Sequence, residues 1–214
     1  MNQQTAPPNP LVLSYLALRK GVGIVGFALP FALALGGFLV GRDGIRSTMS
    51  DYYYTDMRGI FVGSLSAIGV FLMSTRGYDL QDEITGRLTA AFAIGIALFP
   101  TTPSAGATSR AKVLGAMHLS SAALFYLTVA YISIALFTKT SAGNNPTPQK
   151  LQRNIVYRVC GYAILACISL ILAYELLPDK TSIEKHTPVF WLESVASVSF
   201  GVSWLTKGET ILKD

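Results

Sequence analysis

The side chains best suited to chemistry are a few ionisable groups that lie within or beside long apolar segments. His118 and Glu193 each lie inside such a segment, and Arg58 ends the polar stretch STMSDYYYTDMR at residues 47–58. Ionisable groups are costly to place among apolar residues at membrane depth, so they suggest a functional role. An imidazole can act as a general base, and a guanidinium group can bind a phosphate.

The elements that position these groups follow from composition. Of the 214 residues, 51% are hydrophobic and only 14% are charged, against about 25% charged in a soluble domain. About 20 helical residues cross a hydrocarbon core, and the apolar windows lack the alternation of a membrane barrel. The sequence therefore predicts an all-α integral membrane six-helix bundle over residues 21–208, with spans at about 21–41, 59–74, 84–100, 113–137, 155–177 and 189–205.

The termini fall outside this bundle. Residues 1–20 form a tail in which 11–18 is either an interfacial helix or an extension of the first span, and 209–214 form a second tail. Six spans place both termini on one side, which holds ten Lys and Arg residues against seven on the other. This excess favours cytoplasmic termini in a multi-pass protein of the cell membrane, most simply a bacterial inner membrane. The net charge of +5 fits cytoplasmic loops near anionic lipid and needs no nucleic-acid partner.

The chemistry-bearing residues converge at the outer end of the predicted bundle. His118 and Glu193 lie one to two turns inside the outer ends of their spans. Arg58 begins the second span, and Ser50 and Asp51 lie in the loop before it. Separate chain segments therefore bring a histidine, two acids and an arginine to one end of the bundle.

Each of these groups also has a structural interpretation. Arg58 can pair with Asp51 or Asp56, and Glu193 can satisfy His118 or Arg58. The tyrosines prefer headgroup depth and can form an interfacial aromatic belt: Tyr52, Tyr53 and Tyr54. The sequence leaves both interpretations open.

The stretch at 47–58 carries a sharper prediction. Three adjacent tyrosines in a free loop would leave large apolar ring areas in water, whereas folding back buries the rings. We therefore expect this stretch to be ordered, to fold over the outer end of the bundle and to close a pocket containing His118 and Glu193. Asp51 and Asp56 are expected to hold the loop through Arg58.

Metal and disulfide chemistry find little support. Cys160 and Cys167 are seven residues apart on one predicted helix, about 10 Å along its axis and beyond disulfide reach. A zinc hydrolase site built from three histidines is one ligand short, because the chain has only His118 and His186. We expect no metal and no cofactor.

Two segments resemble a known group of proteins. Ser50-Asp51-Tyr52 in the outer loop and His118 early in the fourth span resemble the Frag/DRAM/Sfk group, small multi-span proteins of eukaryotic and bacterial membranes. The ending VFWLESVASVSFGVSWLTKG at 189–208 is similar to that of uncharacterised bacterial six-span proteins. The three tyrosines depart from the group's pattern. The resemblance implies sensing or remodelling of membrane lipids, and it carries over only Ser50, Asp51 and His118.

The leading functional hypothesis is a pocket that binds a lipid headgroup or similar amphiphile. Its expected ligand-binding residues are Ser50, Asp51, Tyr52, Tyr53, Tyr54, Arg58, His118 and Glu193. The expected partners are membrane lipids; a homo-oligomer is compatible with the sequence but is not indicated by it.

Two alternatives remain. One is a membrane hydrolase or transferase acting on a lipid ester or phosphodiester, with His118 as general base and Glu193 or Asp51 orienting it. Ser50 is an available nucleophile, although nothing in the sequence places it beside His118. The other is a small channel or carrier, for which the expected file of polar residues through the membrane is lacking.

Overall fold

The computed structural model describes residues 10–212 except 42–43, 76, 78, 104, 141–144 and 180, and says nothing of the side chains of 10–14 and 181. The described residues contain helices and no strands, which confirms the all-α prediction. In chain order the helices are α1 Pro10–Gly36, α2 Arg58–Ser74, α3 Leu80–Leu98, α4 Ser109–Tyr131, α5 Pro148–Glu175, α6 Thr181–Glu184 and α7 Pro188–Lys207. Short π-helical segments extend α1 (Gly37–Gly41) and α4 (Ile132–Leu136), and Ser50–Tyr54 forms a 3₁₀ helix.

Four helical segments in the described part of the chain are long and apolar enough to cross a membrane. The chain is therefore a membrane protein by the length and composition of these helices: Tyr15–Gly41, Ser109–Leu136, Pro148–Glu175 and Pro188–Lys207. Helix α2 is apolar but only 17 residues long, and α3 carries charges in its first two turns. Residues 11–18 continue into α1 as one helix, so of the two alternatives for this segment the extension is observed.

The bundle is held by neighbouring helix pairs around an aromatic core. Helix α1 packs on α2 and α7, α5 packs on α7 and α4, and α3 lies between α2 and α4. Ring contacts link α4, the residue after its π-helical extension, α5 and α7, with centroid separations of 4.7 to 5.6 Å, a favourable range for aromatic pairs. The rings belong to Phe125, Phe137, Tyr157, Phe200 and Trp204.

Helices α1 and α7 approach closely because small residues line their contact. The Ser197 hydroxyl donates to the Gly26 carbonyl over 2.7 Å, and a Cβ on Gly201 would lie 2.5 Å from the Phe27 nitrogen. Two glycines of α2 make no comparable close contact with the described residues. A Cβ at Gly59 or Gly63 would meet no described neighbouring atom within 4 Å.

The bundle has two distinct ends. At the end called here the terminal end, the start of α1 meets the end of α7, where Lys20 packs against Gly208. The opposite end carries residues 44–57, called here the lid, beside the starts of α2, α4 and α7 and the end of α3. The predicted convergence of polar residues concerns this lid end.

Candidate functional site beneath the lid

The lid owes its shape to hydrogen bonds within its own sequence. The Thr48 backbone N–H donates to the Asp51 carboxylate over 3.1 Å, and the Asp51 N–H donates back to the Thr48 hydroxyl over 3.0 Å. This reciprocal pair has the spacing of a capping box and stabilises the start of a helix. It fixes the 3₁₀ helix Ser50–Tyr54, in which Ser50 and Tyr52 are buried.

His118 lies on α4 and faces the lid. Its Nε2 is 2.9 Å from the Ser50 hydroxyl, and its Nδ1 is 2.7 Å from the Phe99 carbonyl at the end of α3. A carbonyl can only accept, so Nδ1 must carry the proton, and a neutral imidazole then accepts the Ser50 proton at Nε2. The imidazole is buried and satisfied on both nitrogens.

Glu193 lies on α7 and also reaches the lid. Its carboxylate accepts the backbone N–H of Met49 over 2.6 Å, and Met49 is itself buried. A hydrogen bond to a charged acceptor is shorter and stronger than a neutral one. Consecutive lid residues, Met49 and Ser50, are therefore tied to α7 and α4, and we call these two contacts the latch.

The lid also completes the start of α7. Thr187 occupies the N-cap position of this helix, but it has a left-handed backbone with φ of 47° and its side chain makes no capping hydrogen bond. Pro188 follows in the first turn of the helix. The carbonyl of Ser47 in the lid accepts the Phe190 N–H over 3.0 Å, so the loop supplies an acceptor that a cap residue would otherwise provide.

The three tyrosines have three different environments. Tyr52 is fully buried and its ring lies 6.1 Å from that of Phe190, whereas Tyr54 is 51% exposed. Tyr53 is half-buried and stacks edge-on against Tyr54, whose hydroxyl donates to the Thr101 carbonyl over 2.6 Å. The prediction that the stretch folds back over the bundle is confirmed, since these rings do not form a uniform outward belt.

Arg58 does not play the expected part in holding the lid. In the described part of the chain it makes no ion pair with Asp51 or Asp56, and this prediction is wrong. Its guanidinium instead lies 4.2 Å above the Tyr53 ring centroid and donates to the Tyr53 hydroxyl over 2.7 Å. The Arg58 side chain is exposed, and ion pairs between exposed charges are weakened by water. A cation–π contact with the Tyr53 ring is therefore a favourable local alternative.

The carboxylates do not orient the imidazole either. The alternative hypothesis gave this role to Glu193 or Asp51, but the Phe99 carbonyl occupies His118 Nδ1. Glu193 binds Met49, and Asp51 binds Thr48.

A small cavity lies below the latch. Its polar lining residues are Ser50, Tyr126, Glu193 and Ser197, and its volume is about 30 Å³. One water molecule needs about 10–15 Å³ by the same measure. In the closed arrangement the space therefore fits about two to three waters and excludes a lipid headgroup.

Metal ligation has no geometric basis in the residues that the structure describes. These residues contain no group of three or more His, Cys, Asp or Glu side chains placed to hold an ion. Both cysteines are free and buried in α5.

Sequence reasoning missed the partners that make the latch. The pairing of Ser50 with His118 joins residues 68 positions apart, and the other acceptors and donors are backbone groups of Phe99 and Met49. Nearly every residue has a backbone N–H and C=O, so the sequence does not indicate which of them will bind His118 or Glu193. The one available signal was Thr48-x-x-Asp51, whose capping-box spacing predicts a turn at this position.

Comparison with the models of known protein families, with curated proteins and with solved structures found no match. The resemblance to the Frag/DRAM/Sfk group therefore stays a prediction.

Proposed function

We propose that this chain is a six-span membrane protein that binds a lipid headgroup or similar amphiphile at the lid end. The two further spans are α2 and α3, which pack against each other and against α1 and α4. A 17-residue helix covers about 26 Å, and a short span is accommodated by thinning of the bilayer at modest cost. The excess of Lys and Arg at the terminal end supports cytoplasmic termini in a cell membrane.

The observation that carries the proposal is the set of polar groups beneath the lid, namely the buried Ser50–His118 hydrogen bond and the partly buried Glu193 carboxylate that binds Met49. Buried polar groups cost free energy even when they are paired, and apolar replacements of similar volume are often neutral or stabilising. A loop that served only to cover the bundle would need no such groups. The polar groups are explained if they recognise a polar ligand when the lid is displaced.

Binding requires movement of the lid because the closed cavity admits only water. Opening breaks the latch and frees the His118 imidazole and the Glu193 carboxylate to contact a headgroup. Arg58 stands at the rim, where its contact with Tyr53 uses one of five guanidinium donors. The remaining donors are suited to a phosphate.

A second candidate, a serine hydrolase or transferase, is favoured by one specific observation. The Ser50 hydroxyl lies 2.9 Å from His118 Nε2, and the Phe99 carbonyl orients the imidazole, which is the arrangement of an activated nucleophile. However, Ser50 belongs to the lid, so opening separates the pair and closing leaves no room for a substrate. The geometry therefore supports binding better than catalysis.

Lipid retention tests the binding proposal. We would purify the wild type and the variants Arg58→Ala, Glu193→Gln and Arg110→Ala in mild detergent and quantify bound lipid by mass spectrometry. Arg110 is the control, an exposed arginine at the start of α4 on the same end of the bundle. We expect less bound lipid in the first two variants than in the wild type and the control. Unchanged lipid content and unchanged thermal stability in both would refute the proposal.

Covalent labelling tests the second candidate. A fluorophosphonate probe reacts with an activated serine, so a hydrolase would be labelled at Ser50, and the labelling would disappear in Ser50→Ala and His118→Ala. We expect no labelling at Ser50, because the closed lid leaves no space for the probe and opening of the lid separates Ser50 from His118. Labelling that depends on both residues would favour the hydrolase over the binding protein.

A further inference from the structure

A groove with largely apolar walls lies at the lid end, between α5, α6 and α7. Its α5 wall consists of residues at positions i, i+3, i+4 and i+7: Leu170, Ala173, Tyr174 and Leu177. Its α7 wall consists of residues at positions i, i+3 and i+4: Pro188, Trp191 and Leu192. Residues at these spacings share one face of a helix, so each of the two helices turns one face into the groove.

The groove exists because the packing of α5 stops burying its side chains toward the lid end. Helix α5 packs on α7, and its buried face includes Ile164 and Cys167. No residue of α5 beyond Cys167 is buried, and all of these residues are described. Ile183 on α6 completes the lining, and the His186 N–H donates to the Ile183 carbonyl over 3.0 Å. The fold thus leaves a space open between two helices that pack closely elsewhere.

The size of the groove suits a hydrocarbon chain. Its volume is about 480 Å³, within the range of about 300–1,000 Å³ that is usual for small-molecule sites. The α5 wall from Leu170 to Leu177 covers about 10 Å of helix axis, less than the roughly 15 Å that one leaflet contributes to the hydrocarbon core. The described residues that line the groove carry no charged side chain. It therefore offers room for an apolar chain and no charge partner for a headgroup.

The surroundings of the groove indicate what fills it. Both walls begin in segments long and apolar enough to cross a membrane, Pro148–Glu175 and Pro188–Lys207, so the groove faces lipid hydrocarbon. Leu170 and Trp191 are 55% and 52% exposed, and an unfilled space beside them would forfeit dispersion contacts. The Trp191 ring is nevertheless held in place, because it packs edge-on against Phe190 with centroids 5.3 Å apart. A tryptophan at a helix end also marks the boundary between hydrocarbon and headgroups.

We propose that this groove holds one acyl chain of a membrane phospholipid, with Leu170 and Leu177 on one side and the Trp191 ring on the other. Two walls contact such a chain from both sides, whereas a single helix face contacts it from one side only. The preference for the groove is one of packing, since lipid tails are as apolar as leucine. This inference goes beyond the lid and does not depend on headgroup binding beneath it.

Photolabelling in a bilayer tests the proposal. We would place the wild type in phosphatidylcholine nanodiscs that contain a small fraction of phosphatidylcholine with a diazirine in one acyl chain, and map the labelled residues by mass spectrometry. Leu172 and Leu176 are the matched controls, because they are leucines near the same end of α5 that are 60% and 76% exposed outside the groove. We expect at least about threefold more label on Leu170 and Leu177 than on these controls. Equal labelling of the two pairs would overturn the proposal.

A variant that fills the space assigns the labelling to the groove. In Ala173→Phe the added ring would occupy the position of the chain, so the label on Leu170 and Leu177 should fall to the level of Leu176. Leu172→Phe adds a ring on another exposed face of the same helix and should retain the preference. A preference that survives in Ala173→Phe would show that the chain lies elsewhere and would overturn the assignment.

A second copy of the chain is the other occupant that such a groove could take. Native mass spectrometry of the same samples reports the oligomeric state, which we expect to be the same in the wild type and in both variants. A dimer that Ala173→Phe dissociates and Leu172→Phe does not would identify the second copy as the occupant and would overturn the proposal.

Discussion

His118 is held by a serine hydroxyl on one side and a backbone carbonyl on the other, and each contact has a testable energetic consequence. Ser50→Ala removes the partner of Nε2 and leaves a buried nitrogen unsatisfied. We expect a loss of about 1–3 kcal/mol in the free energy of unfolding, measured by thermal or chemical unfolding in detergent. Tyr54→Phe is the control, since its hydroxyl bond to Thr101 is exposed and its loss should cost less. An equal effect of the two variants would argue against a buried latch.

Glu193 offers a second prediction at this scale, because its charge and its hydrogen bond can be separated. Glu193→Gln keeps an oxygen that can accept the Met49 N–H, whereas Glu193→Ala leaves that buried donor without a partner. We expect Glu193→Ala to lower stability by about 1–3 kcal/mol and Glu193→Gln by less. The same unfolding assay checks the order, and a larger loss in Glu193→Gln would show that the charge itself matters more than the bond.

Among the elements, the contact of α1 with α7 depends on backbone approach at Gly201. Gly201→Ala would place a Cβ 2.5 Å from the Phe27 nitrogen, so one helix must shift. We expect a loss of about 1–3 kcal/mol in the free energy of unfolding. Gly63→Ala is the matched control in a helix interior with open space around it, and it should be neutral or stabilising by up to about 1 kcal/mol. A destabilised Gly63→Ala would mean that a surface at α2 is covered by something else, such as a second copy of the chain.

The start of α3 and the segment after α4 are joined by a charged contact that responds to pH. Lys139 lies 2.9 Å from both Asp79 and Asp82. The Asp82 backbone N–H, together with the Lys139 ammonium, lowers the pKa of Asp79 below its ordinary value of 3.8, and hydrogen bonds to Asp82 and Asp79 raise the pKa of Lys139. Because the Asp79 pKa is depressed by folding, its stabilising contribution is present above pH 3.8 and is lost as the pH falls through the folded-state value.

Asp79→Asn isolates this charge, because asparagine is as good an N-cap as aspartate. We expect the wild type to unfold at a slightly higher temperature than the variant at pH 6, and the difference to shrink as the pH falls below 3.8 toward the lowered pKa of Asp79. The effect is small since both groups are exposed. A difference that persists unchanged at pH 3 would show that the cap and not the charge is responsible.

At the scale of the whole molecule, the sequence predicted those features that depend on neighbouring residues or on a repeating apolar pattern. Long apolar windows predicted the helices, and the ring area of three tyrosines predicted that the loop folds back. The Arg58–Tyr53 contact was not predictable, because Arg58 had several chemically equivalent partners and Tyr53 carries no charge to mark it. The Ser50–His118 bond was not predictable because it joins positions 68 residues apart. Burial of Arg153 beside exposed Arg158 was equally hidden, since both lie on the same helix and are the same residue type.

The central claim is that the lid is latched shut and opens to admit an amphiphile. Hydrogen–deuterium exchange at the Met49 amide tests it most directly, because this N–H is the donor in the bond to Glu193. In detergent without added lipid, we predict that Met49 exchanges slowly relative to the exposed amides of the α3–α4 loop. Addition of the lipid found to co-purify should speed exchange at Met49 while raising the thermal midpoint of the whole protein. Fast exchange at Met49 without lipid, or exchange that no lipid alters, would contradict the account.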